Sequence, residues 1–299
     1  MWRLHHRGVP VGVVDVGSNT VRLHVAHDGR AIFGKRSLLG LGDAVERFGV
    51  IPEPKLDEVG AMVAEYVADA RDRGAEIVEV LVTSPGRQAV NGHELITRLE
   101  GAAAAPVRLL SAADEAKLGF AGALAETRIP AGRRVAVVDV GGGSTQIAVG
   151  TRRDGPIWIR SVDLGSMRLT SRCLPEDPPG HAALRQARAE AEAYLADLSP
   201  PRPRVAIATG GSARALRRVA GSSRLGLEEL ESALAVLAET PAAEIADEFG
   251  VELGRARTLA AGAVILSGVA GLFGIRFRIG RGGVREGAAL ELERRRLAA

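Results

Sequence analysis

The sequence contains two copies of one pattern, in which an apolar strand ends in aspartate and leads into a glycine-rich turn. The first copy is VGVVDVGSNTVRLHVA at 11–26, and the second is VAVVDVGGGSTQIAVG at 135–150, aligned without a gap 124 positions later. Alternating apolar residues follow each turn, a pattern typical of a half-buried strand. Each copy therefore predicts a β-hairpin at the head of a domain, and the repeat predicts two similar domains whose turns face one cleft.

The rest of the chain alternates helical and strand patterns, which predicts an α/β fold. Apolar residues recur at helical spacing over 54–73, and a buried strand pattern follows at 77–83. A turn at 84–86 then precedes a helix that we expect to end at about Leu99. Further strands are predicted at 107–110, 157–162, 205–208 and 276–279.

The chain of 299 residues is long enough for two domains with substantial cores. We place the first domain at residues 1–122 and the second at residues 123–283. The last predicted helix, at about 284–299, is expected to pack back on the first domain.

Four turns of the predicted fold share one design, a strand that leads into glycines with hydroxyl or basic side chains. Glycine lets the backbone approach a ligand, and successive N–H groups form a concavity that binds anions. A tight turn would explain any one of these segments, but the four together favour phosphate binding. None has the spacing of a P-loop, and no Rossmann glycine pattern follows the first strand. The four segments are 15–20, 139–145, 209–213 and 280–287.

Composition narrows the class of protein further. A formal net charge of only +3 argues against a dedicated nucleic-acid binder. The single cysteine, Cys173, excludes an intramolecular disulfide and fits a reducing cytosol, so we expect a cytoplasmic protein. The charge-free stretch at 259–275 is short and rich in Ala and Gly, which favours a helix inside a domain over a membrane span.

These motifs resemble those of a known family. The turns at 15–20, 139–144 and 209–213 resemble the phosphate loops and the nucleotide-type loop of the actin/Hsp70/sugar-kinase superfold. Together with TSPGRQA, SAADEAKL, DLGSMRLT and GGVREG in this order, the string from about Val11 to Leu292 resembles the exopolyphosphatase/guanosine pentaphosphate phosphohydrolase (Ppx/GppA) family. The resemblance implies two actin-like (ribonuclease H-like) α/β domains with mixed sheets flanked by helices and an active site in the interdomain cleft.

The same resemblance implies Mg²⁺-dependent hydrolysis of a terminal phosphoanhydride. The expected substrates are inorganic polyphosphate and the 5′-phosphate of pppGpp, and the expected partners are therefore polyphosphate or guanosine penta- or tetraphosphate, with no nucleic acid and no membrane. A homodimer is left open. Two other classes of function are compatible with these motifs, namely a non-catalytic sensor of (p)ppGpp or polyphosphate and an actin-fold phosphotransferase kinase.

The candidate catalytic acid lies in the segment SAADEAKL. Ser111 and Asp114 fit a capping box at the start of a helix, which gives Asp114 a structural role and leaves Glu115 pointing elsewhere. The family resemblance independently implies that Glu115 is the catalytic glutamate, which would activate the attacking water. The simpler alternative is that Glu115 only complements the helix dipole.

The resemblance also implies the ligands of the metal and of the phosphates. Asp139 and Asp15 are the candidate Mg²⁺ ligands, although either carboxylate could instead accept hydrogen bonds from turn amides. Arg22, Arg87 and Arg168 fall where the family has arginines that face phosphate. The full set of candidate phosphate-binding residues is Gly17, Ser18, Asn19, Thr20, Arg22, Arg87, Gly141, Gly142, Gly143, Ser144, Thr145, Arg168, Gly210, Gly211 and Ser212.

Three positions depart from the pattern of the family. Leu38 and Leu41 stand where relatives often have an arginine and an acid, and Arg281 replaces a residue that is commonly small or acidic. The phosphate turns are intact, so these departures affect the expected choice of substrate rather than the expected chemistry.

Overall fold

The computed structural model describes residues 8–298, with side chains up to residue 296. The chain divides into two compact units. The first unit extends to Leu110 and includes the chain from Arg285 onward, and the second unit is Ser111–Val284. Residues 1–7 of the predicted first domain and residue 299 of the predicted terminal helix lie outside the described residues.

The first unit has a five-stranded mixed sheet in the order β3-β2-β1-β4-β5. The first repeat forms the hairpin β1–β2, whose register joins Asp15 to Arg22, and β4 lies parallel to β1 on the other side. The strands are β1 Val11–Val16, β2 Thr20–His27, β3 Arg30–Leu38, β4 Ile77–Val82 and β5 Val107–Leu109. The helices are α1 Leu41–Phe48, α2 Glu53–Asp72, α3 Ser84–Gln88, α4 Gly92–Ala103 and α13 Val284–Ala298.

The second unit repeats this design with a six-stranded mixed sheet in the order β10-β11-β9-β6-β7-β8. The second repeat forms the hairpin β6–β7, and β9 lies parallel to β6, which pairs Asp139 with Thr209. The strands are β6 Val135–Val140, β7 Thr145–Thr151, β8 Gly155–Val162, β9 Val205–Thr209, β10 Arg224–Leu225 and β11 Phe277–Ile279. The helices are α5 Ala112–Ala125, α6 Ser166–Cys173, α7 Gly180–Leu195, α8 Gly210–Val219, α9 Leu227–Glu239, α10 Ala242–Phe249, α11 Leu253–Ala256 and α12 Leu259–Phe273.

Each unit has its own hydrophobic core, and in the second unit α5 covers the opposite face of the sheet with a further apolar cluster. In the first unit, alternate residues of the hairpin such as Val14 and Leu23 pack on Val59 and Leu99 from the helices. In the second unit, the apolar helix α12 is buried along most of its length, as the sequence predicts for the charge-free stretch. Within the part of the chain that the structure describes, no helix has both the length and the apolar character needed to cross a membrane.

The predicted fold class is confirmed, and three differences are local. The sequence put the boundary after residue 122, whereas the units divide before Ser111, because α5 packs on β6, β7 and β8 of the second sheet. The turn predicted at 84–86 is instead part of the short helix α3, and the helix expected up to Leu99 is the separate helix α4, which ends at Ala103. The chain bends between them so closely that a Cβ on Gly92 would overlap the carbonyl oxygen of Gly86. The sequence analysis also missed the edge strand β3.

Candidate active site

The turn of the second repeat is fixed by backbone hydrogen bonds. The Gly141 N–H donates to the Ser144 carbonyl oxygen at 3.0 Å, which closes the turn. A second segment, at the start of α6, binds the outer carbonyls, because the amide groups of Ser166 and Met167 donate to Gly141 and Gly142 at 2.8 and 2.9 Å. With these carbonyl oxygens engaged, the turn can present N–H groups to an anion.

Gly165 is required for this arrangement. A Cβ on Gly165 would overlap the carbonyl group of Gly142, so no other residue fits without a shift of the turn. Arg168 follows on the first turn of α6, and its Nη1 donates to the Asp163 carbonyl oxygen at 3.0 Å. The sequence-predicted turn and Arg168 are therefore neighbours in one unit.

Asp139 lies beside the third candidate turn. It is the last polar residue of β6, and a Cβ built on Gly210 would be 2.5 Å from its Oδ1. Gly210 has φ of 86°, a conformation that glycine adopts without strain. The carboxylate therefore lies against the backbone at the beginning of α8, whose N–H groups favour negative charge.

Arg255 is a residue of this site that the sequence analysis missed. It is buried on α11, and a Cβ on Gly211 would be 2.8 Å from its Nη2. Its Nη1 also lies 3.5 Å from the Ser212 hydroxyl. A guanidinium beside the positive end of α8 concentrates positive charge, an arrangement suited to an anionic group. The sequence segment GRAR gives no sign of this role, because the contact arises only from the packing of α11 against α8.

The N-cap predicted at Ser111, one half of the predicted capping box, is confirmed. The Ser111 hydroxyl oxygen accepts a hydrogen bond from the Asp114 N–H at 3.1 Å, and α5 begins there. The two adjacent acids then differ in environment, because the Asp114 side chain is 50% exposed and pairs with Lys117, whereas Glu115 is only 8% exposed. Glu115 is thus a buried carboxyl group on the first turn of a helix.

The turn of the first repeat is also tightly braced. The Ser18 and Ser84 hydroxyl groups are 2.6 Å apart, which ties the turn to the start of α3. Asn19 accepts hydrogen bonds on its carbonyl oxygen from the amides of Leu39 and Gly40 at 3.0 and 3.2 Å. Its side-chain Nδ2 is buried and has no hydrogen-bond partner among the described residues. A buried donor without a partner is rare, and a phosphate oxygen would supply the missing acceptor.

The arginines of the first unit differ in position. Arg22 lies opposite Asp15 across the hairpin, and its Nε donates to the Thr20 hydroxyl at 3.0 Å. Arg87 on α3 donates from Nη1 to the Leu110 carbonyl oxygen at 2.8 Å.

Of the departures from the family pattern, Leu41 is fully buried and serves packing, whereas Leu38 is 39% exposed on the edge strand.

The candidate site offers carboxylate oxygens as potential metal ligands. No group of three or more His, Cys, Asp or Glu side chains that could hold a metal ion occurs among the described residues. Mg²⁺ commonly binds through one or two carboxylates together with substrate phosphates. The Asp139 carboxylate, which adjoins a glycine turn, offers the hard oxygen ligands that such binding needs.

Braced glycine turns, a buried arginine and a helix N-terminus on a mixed α/β fold are features typical of a protein that acts on phosphate groups. The chain belongs to the Ppx/GppA phosphatase family, which it matches over residues 20–296. It is accordingly a hydrolase that acts on phosphoric anhydrides.

Individual relatives and solved structures agree with this assignment. The chain is 30% identical over 275 residues to exopolyphosphatase 1 of Mycobacterium tuberculosis, covering 85% of this chain and 79% of the relative. Exopolyphosphatase 2 of the same organism is 31% identical over 194 residues, covering 60% of this chain and 59% of the relative. The fold is similar to an exopolyphosphatase from Cytophaga hutchinsonii, with a TM-score of 0.85 at 20% identity over 95% of this chain and 98% of that one. The fold is also similar to the PPX-GPPA enzyme of Aquifex aeolicus, with a TM-score of 0.77 at 23% identity over 94% of this chain and 99% of that one.

Proposed function

We propose that the protein is a cytoplasmic exopolyphosphatase, which releases orthophosphate from the end of inorganic polyphosphate, and that pppGpp is its second candidate substrate. The observation that carries the proposal is the cluster in the second unit where Asp139, the N-terminus of α8 and the buried Arg255 meet at Gly210 and Gly211. The names of the two mycobacterial relatives support polyphosphate as the substrate.

The proposed reaction begins with a water molecule. Glu115 accepts a proton from this water as the oxygen attacks the terminal phosphorus, and the bond from that phosphorus to the bridging oxygen breaks. The products are orthophosphate and a polyphosphate one unit shorter, which retains the bridging oxygen. Glu115 supports the role of a base because it is a buried carboxyl group, whereas the neighbouring Asp114 is exposed at the cap.

The other candidate residues bind and orient the substrate in this proposal. Backbone N–H groups of 142–143 and 210–212 donate to phosphate oxygens, and Arg168 and Arg255 balance the charge that develops on the leaving oxygen. In the first unit, the turn 17–20 with Arg22 and Arg87 binds further phosphate oxygens. Asn19 supports this role, since its buried amide nitrogen has no acceptor among the described residues.

Asp139 and Asp15 are the proposed ligands of Mg²⁺. When bound, this cation would supply positive charge that polarises the phosphoryl group. Phosphate oxygens of the substrate complete such a site, because a single carboxylate holds Mg²⁺ weakly.

Side-by-side phosphate release tests the proposal. Short polyphosphate, long polyphosphate, pppGpp and ATP are each incubated with Mg²⁺, with and without excess chelator. We expect the protein to release phosphate from polyphosphate, with or without release from pppGpp. Excess chelator should abolish the release of phosphate from every substrate. Binding of polyphosphate or pppGpp without release would instead identify a sensor. Transfer of phosphate from ATP to an acceptor would identify a kinase.

A further inference from the structure

The second unit contains a groove that the phosphate chemistry does not use. It lies between α7, α9 and α12 and has a volume of about 520 Å³, within the range of small-molecule sites. It is lined by apolar side chains, by glycines of α12 and by the charged residues Arg188, Glu192 and Glu231.

Two glycines of α12 form the floor of the groove. A Cβ on Gly268 would be 2.6 Å from Cδ1 of Leu195, so at this point α7 and α12 are in contact. One turn later, a Cβ on Gly271 would meet no atom within 4 Å, which locates the open space above that residue. The exposed Leu227 and Leu272 add apolar surface to this opening.

Ser267 gives the groove a polar group that lacks a partner. Its side chain is 7% exposed, and its hydroxyl oxygen has no hydrogen-bond partner among the described residues. Buried hydroxyls are almost always hydrogen bonded in folded proteins. An acceptor on a ligand in the groove would supply the missing bond.

The charged residues of the groove disfavour an anion. Arg188 donates to both carboxylate oxygens of Glu231, at 2.8 and 2.5 Å, so its charge is already balanced. The hydrogen bonds to Glu231 raise the pKa of this guanidinium, and the negative charge of Glu192 adds to the rise. Two carboxylates against one arginine leave the groove with an excess of negative charge.

We infer that the groove binds a small uncharged amphipathic molecule, with an apolar body over Gly271 and one carbonyl-type oxygen that accepts a hydrogen bond from Ser267. This site is separate from the phosphate turns. Gly262 of α12 is the residue that packs on Ser212, and Gly271 lies nine residues further along, about 13 Å along the helix axis.

Fluorescence titration of the full chain with Nile red, an uncharged apolar dye with a carbonyl oxygen, tests the inference. We expect saturable binding at one dye per chain. Gly271→Leu should weaken it at least tenfold, because the leucine fills the open space without a clash. Leucine also favours the helix over glycine, so folding should not suffer. The matched control is Gly132→Leu, because Gly132 lies outside the groove and a Cβ there meets no atom of the described residues within 4 Å. This variant should bind the dye normally.

Two further measurements separate a ligand site from a merely apolar surface. Ser267→Ala should weaken dye binding several-fold while leaving the melting temperature unchanged or higher, since it removes a hydroxyl that has no partner. The anionic dye anilinonaphthalene sulfonate should bind at least tenfold more weakly than Nile red. The inference is overturned if Nile red does not saturate, if Gly271→Leu binds it like the unmodified chain, or if polyphosphate displaces it.

Discussion

Two neighbouring acids on α5 show how local chemistry assigns different roles to similar side chains. The Ser111 hydroxyl caps the helix by accepting a hydrogen bond from the Asp114 N–H, and it also donates to Asp114 Oδ2 at 2.7 Å. Because Asp114 is held at the exposed cap, the next residue projects from a different side of the helix and is buried. A buried carboxyl group that the cap does not use is a good candidate for proton transfer.

Substitution of Glu115 tests its role as the base. Glu115→Gln should reduce turnover of polyphosphate by about 10²-fold or more, the usual scale for loss of general base catalysis. Binding should persist, because glutamine has nearly the same shape. Asp114→Asn is the matched control and should keep nearly full turnover. Steady-state kinetics together with equilibrium binding measure both effects, and a near-normal rate for Glu115→Gln would remove it from the mechanism.

Substitution of Asp139 tests the proposed metal ligand. Asp139→Asn replaces a hard anionic ligand with a neutral amide, so the Mg²⁺ concentration for half-maximal activity should rise by about tenfold or more. Excess Mg²⁺ should restore part of the rate. Asp163→Asn, a carboxylate outside the turn, should leave the Mg²⁺ requirement unchanged. Full activity of the unmodified enzyme in excess chelator would contradict a metal-assisted reaction.

At the residue scale, the sequence could predict what depends on near neighbours along the chain. The cap of α5 involves residues three positions apart, so SAADEAKL was sufficient to predict it. Arg255 could not be predicted, because its approach to Gly211 joins residues more than 40 positions apart. The Asn19 Nδ2, which has no acceptor among the described residues, is equally invisible in a sequence, since only the packed structure reveals such a donor.

At the scale of elements, the hairpin repeat predicted two strand pairs and their turns, because strand alternation and glycine turns are local signals. The edge strand β3 was missed because RAIFGKRSL mixes exposed charged and apolar residues, and only its pairing with β2 defines it as a strand. The break between α3 and α4 was missed because it depends on a backbone contact between Gly86 and Gly92.

The contact between α6 and the second turn can be tested through Gly165. Gly165→Ala would put a methyl group into the carbonyl of Gly142, so the turn must move. We expect a loss of about 1–3 kcal/mol in the free energy of unfolding, as for other overpacked sites, and weaker binding of polyphosphate. Gly132→Ala, whose Cβ meets no atom within 4 Å, serves as the control. Denaturant titration measures the stability of both variants, and binding assays measure their affinity for polyphosphate. If Gly165→Ala matches Gly132→Ala in both, the contact of Gly165 with Gly142 does not constrain the turn.

The contact between α13 and β2 predicts a dependence of stability on pH. His24 is buried, and this burial lowers the pKa of its imidazole below 6.5, although Glu286 raises it and Arg285 adds to the lowering. Below pH 6.5 the unfolded chain therefore binds a proton before the folded protein does, so the free energy of unfolding should fall as the pH decreases from about 7.5 to 5.5. His24→Gln should flatten this decrease, whereas the exposed His93→Gln should not. Identical pH profiles for the two variants would contradict the assignment.

At the scale of the whole molecule, the chain leaves the first unit at Leu110 and returns to it at Arg285. The returning helix α13 contributes buried apolar residues, among them Ala288, Ala289 and Leu292. It also joins an ion-pair network, because Arg108 donates to the buried Glu79 at 3.1 Å and to Glu291 at 3.3 Å. Burial raises the pKa of Glu79 despite these arginine contacts. The first unit thus depends on residues from both ends of the sequence.

This dependence predicts that damage to α13 acts on one unit alone. Leu292→Ala removes a buried leucine and should cost about 2–5 kcal/mol in the free energy of unfolding of the first unit. The exposed Arg294→Ala should change it by less than about 0.5 kcal/mol. Hydrogen exchange followed by mass spectrometry can distinguish the units, because each has its own core. In Leu292→Ala, amides of β1, β2 and β4 should exchange faster while those of α12 keep their protection. Equal loss of protection in β1 and α12 would mean that the two units unfold together. It would contradict the prediction that Leu292→Ala destabilises the first unit alone.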